Sequence, residues 1–189
     1  MSADPAACIA CRLHCGRTQV VLPDGPPGGL LAVGEAPGRE EDARGVGFAG
    51  RAGRTLDLLL AGLGVERQAY ARTNVVRCRP PDNRKPRADE IAACCHWLEA
   101  TVRQWRPRVI LAVGQSAAGQ VMPLPAGSYL DAVLATIEGD KPQPAFLGVP
   151  VVPMPHTSPL AWNRARPDGT PLREIGARAA ASAVAMLPR

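Results

Sequence analysis

Short apolar segments alternate with helical patterns along the chain. The apolar segments lie at residues 30–33, 70–76, 108–113 and 149–154, and each predicts a buried strand. Helical patterns follow at residues 56–63, 86–105, directly after residue 116, and at 171–187. Such alternation predicts one α/β domain over residues 1–189, with a parallel sheet covered by helices on both faces. Residues 123–148 are interrupted by proline and glycine and predict no element.

A glycine- and carboxylate-rich loop separates the first predicted strand from the first predicted helix. It reads GEAPGREEDARGVGFAGRAG over residues 34–53. Ligands of open α/β sheets bind beyond the carboxyl ends of strands, where this loop lies. Its glycines permit close approach of the backbone, Phe48 offers a flat apolar face, and its carboxylates offer hydrogen-bond acceptors or a base: Glu35, Glu40, Glu41 and Asp42. Taken alone, the loop is equally typical of a solvated acidic surface.

Polar residues also follow the other three predicted strands. Asn74 ends the second strand, Gly114 and Gln115 follow the third, and His156 follows the fourth. A buried asparagine alone is more often structural than ligand-binding, because its amide must be satisfied somewhere. Since the carboxyl ends of parallel strands share one edge, these side chains are expected to converge there with Glu35. That convergence predicts a functional site.

The six cysteines predict a metal site. Cys8 and Cys11 form a CxxC near the amino terminus, and Cys78 and Cys94 are sixteen residues apart. Outside a βαβ context, a CxxC favours a metal clip over a redox site. Four thiolates suit either zinc or a cubane iron–sulfur cluster, and spacing does not decide between them. The remaining two cysteines, Cys15 and Cys95, are expected to be unliganded.

Charge and the terminal sequence suggest where the protein acts. The formal net charge is +5, and all 22 basic residues except Lys85 and Lys141 are arginine. Arginine suits phosphate, which makes nucleic acid a plausible partner, but a GC-rich genome explains the arginine excess equally well. The first residues, MSADPAACIACR, lack the pattern of a signal peptide. We therefore expect a cytoplasmic, nucleoid-associated location and no membrane partner.

Four motifs and the cysteine pattern resemble one family. The segments GEAPGREED, GFAGRAG, TNVVRCRPPDNRKP and HTSP, with Cys8, Cys11, Cys78 and Cys94, resemble the family 4 (iron–sulfur) uracil-DNA glycosylases. The resemblance runs in order from about residue 8 to residue 159. It implies a three-layer α/β/α fold with a central four-stranded parallel sheet and a [4Fe–4S] cluster on those four cysteines. It also implies excision of uracil from DNA, which initiates base-excision repair of deaminated cytosine. Nothing in the sequence suggests more than a monomer.

The resemblance implies a role for each site residue. Phe48 would stack on the flipped uracil, Asn74 would pair with its edge, and Glu41 would exclude the methyl group of thymine. The backbone of Glu35, Ala36 and Pro37 would line the pocket. His156 would stabilise the departing uracil anion, and Glu35 would place the water or stabilise the cationic sugar. Other residues would contact DNA, with either Leu160 or Trp162 as a wedge and three arginines on phosphates: Arg79, Arg84 and Arg164.

Two positions depart from the family pattern. Gly47 stands where the family usually has proline before the stacking phenylalanine, and Thr157 replaces the proline of its HPS motif. Thr157 restores a backbone N–H and loosens the loop that carries His156. Two alternatives therefore stay open: a uracil-DNA binder without turnover, and a cysteine-ligated metal protein with a nucleotide site. The loop lacks both a P-loop and a GxGxxG motif, which weakens the last of these.

Overall fold

A twisted parallel sheet forms the centre of the protein. The computed structural model describes residues 4–124, 128–139 and 142–188. Within these residues five strands form one sheet in the order β2-β1-β3-β5-β4. The first four of that order run parallel, and β4 pairs antiparallel with β5 at one edge. The strands are β1 (Leu30–Gly34), β2 (Ala71–Asn74), β3 (Val109–Val113), β4 (Ala145–Phe146) and β5 (Val149–Met154).

Helices cover both faces of the sheet, as the alternating pattern predicts. The described helices are α1 (Arg39–Arg44), α2 (Arg51–Ala61), α3 (Ala88–Trp105), α4 (Gln115–Val121), α5 (Tyr129–Glu138), α6 (Pro159–Trp162) and α7 (Leu172–Ala185). Strand residues alternate between two cores because successive side chains point to opposite faces. Leu31 and Val33 pack in one core with α3 and α4, whereas Leu30 and Ala32 pack in the other with α2, α5 and α7. The α/β/α class is therefore confirmed.

Four of the described helices and strands were not predicted from the sequence pattern: α1, α5, β4 and the four-residue α6. The segment 123–148 contains α5 and the short strand β4, which raises the strand count from four to five among the described residues. Helix α1 lies inside the loop 34–53. It begins after Gly38, carries three carboxylates in its first turn and ends at Gly45, whose φ of 71° is left-handed. Carboxylates at a helix amino terminus are stabilised by the helix dipole.

The amino-terminal segment packs onto the body of the domain. Leu13 is buried in the core beneath α3, and Cys11 packs against that core. Both carboxylate oxygens of Asp42 accept from the Thr18 N–H at 3.0 Å, and the Val21 N–H donates to the carbonyl of Arg77 at 2.8 Å. Asp42, a candidate acceptor, is thus a structural anchor for this segment. No described helix has the length and apolarity required to cross a membrane.

Candidate active site and cysteine cluster

A cavity of about 210 Å³ opens at the carboxyl edge of the sheet. It lies where β1, β2 and β5 end and where α2 begins. Its lining combines glycines, an aromatic ring, an amide, a carboxylate and an imidazole: Gly34, Ala36, Gly38, Glu41, Phe48, Gly50, Arg51, Ala52, Gly53, Asn74 and His156. The structure thus brings together most of the pocket residues that the sequence singled out. Arg51 and Ala52 are additions, and Glu35 and Pro37 do not line the cavity.

Asn74 presents an unused amide to this cavity. It ends β2 opposite Gly34 and is 5% exposed. Its side chain makes no hydrogen bond within the part of the chain that the structure describes. A Cβ on Gly34 would overlap with Asn74 Oδ1 and would lie 2.9 Å from Phe48 Cζ. Glycine at position 34 therefore keeps open the space in which a ligand meets the Asn74 amide.

Phe48 is held in a backbone conformation that its side chain disfavours. Its φ is 54°, and a β-carbon on Gly53 would overlap with its carbonyl oxygen. Arg67 donates from Nη1 to that carbonyl at 3.1 Å and from Nη2 to the carbonyl of Gly47 at 2.9 Å. The clamp fixes the ring at the cavity wall.

A second layer holds Arg67 in turn. Arg67 Nη1 lies 2.8 Å from Asp57 Oδ2, and the Tyr70 hydroxyl donates to Asp57 Oδ1 at 2.5 Å. Burial and the Asp57 carboxylate together raise the pKa of Tyr70, so the hydroxyl stays protonated and donating. The sequence did not predict this network, because its members share no motif. Asp57 lies on α2, Arg67 lies in the turn before β2, and Tyr70 directly precedes β2.

Glu41 forms a rigid part of the cavity wall. Its Oε2 accepts from the Gly38 N–H at 3.0 Å, and its Oε1 accepts from the Gly50 N–H at 2.8 Å. The carboxylate thereby ties the start of α1 to the start of α2. Its position in the wall is fixed by these two bonds, whatever ligand enters.

His156 presents a neutral imidazole to the cavity. The Ser158 N–H donates to its Nδ1 at 3.0 Å, so Nδ1 is the acceptor and Nε2 carries the proton. Burial lowers the pKa of His156, and the nearby charge of Glu35 opposes that shift. A β-carbon on Gly114, whose φ is 91°, would lie 3.0 Å from His156 Cδ2. The end of β3 therefore backs the ring, and Nε2–H is available as a donor.

The segment after His156 separates the two candidate wedge residues. Helix α6 begins after Ser158, and Leu160 in its first turn is 81% exposed. Trp162 instead packs on α7, where a β-carbon on Gly176 would lie about 2.5 Å from Trp162 Cη2. Of the two candidate wedge residues, Leu160 is thus the exposed one. Thr157 is fully buried with no partner for its hydroxyl among the described residues.

The four candidate ligand cysteines lie in one electrostatic neighbourhood. Burial raises the pKa of Cys78, with charge on Cys11 and Cys8 adding to the rise and Arg17 opposing it. Burial also raises the pKa of Cys94 to about 11, and charge on Cys78 and Cys11 contributes. Yet no group of three or more His, Cys, Asp or Glu residues that could hold a metal ion occurs in residues 4–124, 128–139 and 142–188.

This arrangement bears on the two metals that the spacing left open. A single zinc ion requires all four sulfurs at about 2.3 Å from one centre. A cubane cluster takes one thiolate at each of four irons, so its ligands are spread more widely. Four cysteine thiols are a donor set that both groups accept. Exposed Cys15 and half-buried Cys95 lie outside the set.

The loop between Cys78 and Cys94 is braced by an ion pair. Arg84 Nη1 and Nη2 lie 2.8 and 2.6 Å from the two carboxylate oxygens of Glu90, which is 1% exposed. Arg79 Nε donates to Asn83 Oδ1 at 2.8 Å within the same loop. Arg164 is exposed, and its side chain makes no hydrogen bond or ion pair with another described residue. Of the three arginines predicted to contact phosphate, Arg84 is therefore already occupied.

The Arg84–Glu90 pair predicts a specific pH dependence of stability. The Arg84 hydrogen bonds lower the pKa of Glu90 to about 2, from an ordinary value of 4.5. A carboxylate with a depressed folded pKa adds stability above its unfolded pKa, and that stability is lost as the pH falls towards 2. We expect Arg84→Met to lower the thermal midpoint clearly at pH 6 and progressively less between about pH 4.5 and pH 2.

The matched control for this prediction is Arg103→Met, which removes an exposed arginine paired with Glu99. That variant should shift the midpoint little at any pH, because exposed pairs contribute little. Comparing each variant with wild type at the same pH removes acid effects that all three proteins share. If the thermal midpoint of Arg84→Met lies below that of wild type by the same amount from pH 6 to pH 2, the prediction is wrong.

Comparison with known families decides what this architecture belongs to. A model of the Uracil DNA glycosylase superfamily matches residues 24–178, which include the whole cavity lining. The chain belongs to this superfamily. Membership confirms the resemblance and agrees with the α/β/α fold.

Individual relatives place the chain near one branch of the superfamily. It is 47% identical over 111 residues to the type-4 uracil-DNA glycosylase of Thermotoga maritima, a match that covers 58% of each chain. It is 41% identical over 113 residues to the type-4 enzyme of Archaeoglobus fulgidus, covering 59% of this chain and 57% of the relative. A type-5 uracil-DNA glycosylase of Pyrobaculum aerophilum is 36% identical over 120 residues, covering 64% and 50%. The matches thus cover between 50% and 58% of the length of these relatives.

Proposed function

We propose that this protein is a uracil-DNA glycosylase that hydrolyses the N-glycosidic bond of deoxyuridine in DNA and so initiates repair of deaminated cytosine. One observation carries the proposal: an unused, buried Asn74 amide and a neutral His156 donor face the same cavity. Membership of the superfamily and similarity to enzymes named type-4 uracil-DNA glycosylase support it. On this proposal the protein acts as a monomer on uracil-containing DNA at the nucleoid.

Recognition of uracil follows from the cavity wall. The target nucleotide must leave the base stack to reach a pocket of this depth. Phe48 then stacks on the base, and the Asn74 amide pairs with N3–H and O4 together. Cytosine presents the opposite donor and acceptor pattern, and a buried polar group facing the wrong edge strongly rejects it. Glu41, fixed by its bonds to Gly38 and Gly50, leaves no room for the methyl group of thymine.

Bond cleavage follows from His156 and Glu35. As the bond between the sugar and uracil N1 breaks, negative charge develops on uracil O2 and positive charge on the sugar. The Nε2–H of His156 donates to O2, and it costs no reorganisation because Ser158 already fixes the ring. Glu35 follows β1 and stabilises the cationic sugar or orients the water that adds to it. The products are free uracil and an abasic site.

The cysteines fit a [4Fe–4S] cluster as the resident cofactor, held by Cys8, Cys11, Cys78 and Cys94. When bound, it cross-links the amino-terminal segment to the loop that precedes α3. That loop carries Arg79, and with Arg164 and the exposed Leu160 it forms the DNA-facing surface. Phosphate contacts from these arginines make binding weaken with salt. Arg84 supports the surface through Glu90.

The alternative of a binder without turnover rested on Thr157 displacing His156. In the structure His156 lines the cavity, and its Nδ1 accepts from Ser158 despite threonine at position 157. This geometry supports turnover. The experiment is alkaline strand cleavage of a labelled duplex with one U:G pair, beside T:A and C:G duplexes. Cleavage of the uracil duplex alone is expected, and uracil-dependent binding without cleavage would favour the binder.

Gly34 offers a test of the cavity independent of any polar group. We expect Gly34→Ala to lower uracil excision about 100-fold, because its β-carbon displaces the Asn74 and Phe48 side chains and misplacement by about 1 Å has that cost. The matched control is Gly29→Ala just before β1, where a β-carbon meets no atom within 4 Å. Both rates are measured in single turnover, with thermal midpoints to check folding. Equal rates for the two variants would contradict the proposed pocket.

A further inference from the structure

Arg77 is a buried cation with no carboxylate partner. It is 5% exposed, and no ion pair to Arg77 occurs in the described part of the chain. Its Nη2 donates to the Trp97 carbonyl at 2.8 Å and to Thr101 Oγ1 at 2.6 Å, while its buried Nε has no hydrogen-bond partner among the described residues. A buried charge is costly unless an opposite charge compensates it. The described carboxylates do not do so.

The cysteines are the groups placed to compensate Arg77. Arg77 directly precedes Cys78 in the chain, and its hydrogen-bond partners Trp97 and Thr101 follow Cys94 on the same helix, α3. Thiolates bound to a metal cluster are charged permanently, because a coordinating thiol is deprotonated. When the cysteines are cluster ligands, their negative charge therefore compensates the buried positive charge of Arg77.

Arg17 reaches the same thiols from the opposite segment. Its Nη1 lies 3.3 Å from Cys78 Sγ and 2.7 Å from the carbonyl of Cys8. One guanidinium thus contacts a residue from each half of the cysteine set. It also makes no ion pair with a described carboxylate, so its charge is likewise directed to the cysteines. Hydrogen bonds to ligand sulfurs tune cluster potential and retention.

We propose that Arg17 and Arg77 are the counter-charges of the iron–sulfur cluster, Arg17 through a hydrogen bond to the Cys78 sulfur and Arg77 through its buried positive charge next to Cys78 in the chain. This inference rests on the cluster in the proposed function. The two arginines are positioning residues: they stabilise the charged, ligated state of the cysteines and raise the cluster's reduction potential. Neither contacts the cavity that contains Asn74 and His156.

The test compares holoprotein variants purified without oxygen. Arg17→Met and Arg77→Met remove each charge, Arg17→Lys and Arg77→Lys restore charge without the guanidinium geometry, and Arg103→Met is the surface control. Loss of visible cluster absorbance in the presence of an iron chelator is followed with time, and midpoint potentials are measured by voltammetry. We expect cluster loss about 10- to 100-fold faster in the methionine variants, as for other partners of metal ligands. Their potentials should be lower, with the lysine variants between them and wild type.

Each outcome bears on a different claim. A coloured wild type whose methionine variants match Arg103→Met in both rate and potential would overturn the role of the arginines and leave the cluster intact. A colourless wild type without iron and sulfide would instead overturn the cluster itself. If Arg77→Met does not fold, Arg77→Lys and the variants of half-buried Arg17 test the proposal. Removal of the Arg17 charge should by itself lower the reduction potential of the cluster, and an unchanged potential in Arg17→Met would overturn the proposal.

Discussion

His156→Ala is expected to excise uracil about 100- to 1,000-fold more slowly than wild type, as for removal of one preorganised donor to a developing anion. The structure gives the reason. Ser158 donates to Nδ1, burial keeps the imidazole neutral, and Nε2–H is therefore aimed into the cavity where uracil O2 would lie. Single-turnover excision from a U:G duplex measures the loss directly, because product release does not enter that rate.

Two further variants separate the donor from the fold. His156→Gln keeps an N–H donor on a side chain of similar reach, so it should recover part of the rate that alanine loses. His96→Ala removes a histidine on α3 that packs beside Trp97, away from the cavity. It should leave the rate unchanged. A His156→Ala protein that is folded and as fast as wild type would exclude the anion-stabilising role.

Asn74→Asp is expected to lower uracil excision by about 10⁴-fold, the scale on which a buried hydrogen-bonding site rejects a mismatched partner. The substitution removes the amide donor to uracil O4 and places a carboxylate against that acceptor. Because the substitution buries a carboxylate without a partner, the thermal midpoint of the variant is compared with that of wild type to check that it folds. The ratio of uracil to cytosine excision should fall with the rate.

The control for this variant is Asn83→Asp in the Cys78–Cys94 loop. Its side chain contacts Arg79, so a change in DNA affinity would affect uracil and cytosine duplexes equally. The ratio of the two rates isolates base recognition from binding. If Asn74→Asp retains the wild-type ratio, Asn74 does not read the base edge.

The sequence predicted the parts of the site that follow strand ends. Asn74 and His156 stood out because the strands before them are continuous apolar runs, and parallel strands share one carboxyl edge. Helix α1 was not predicted because its six residues are too few to show the 3.6-residue spacing of apolar side chains that marks a helix. Helix α5 and β4 lie in a segment whose prolines and glycines hide its pattern. Strand β4 is only two residues long and forms by antiparallel pairing with β5.

The supporting residues could not be predicted from the sequence at all. Arg67 clamps the carbonyls of Gly47 and Phe48 across about 20 positions of chain, a contact that only the fold creates. Arg84 carried the right charge for phosphate, yet its guanidinium is occupied by Glu90. The structure also separated Leu160 from Trp162, which the sequence left as alternatives. In each case the sequence showed the type of side chain, but the group that the side chain contacts depends on the tertiary structure.

Release of free uracil under multiple turnover is the measurement that tests the central claim most directly. An excess of U:G duplex is incubated with wild type, Asn74→Asp and His156→Ala, and the liberated base is quantified by chromatography against abasic sites in the same sample. We predict uracil and abasic sites in equal amounts, many per wild-type molecule, and almost none from either variant. A folded, cluster-loaded wild type that binds uracil duplex but releases no base would contradict the account.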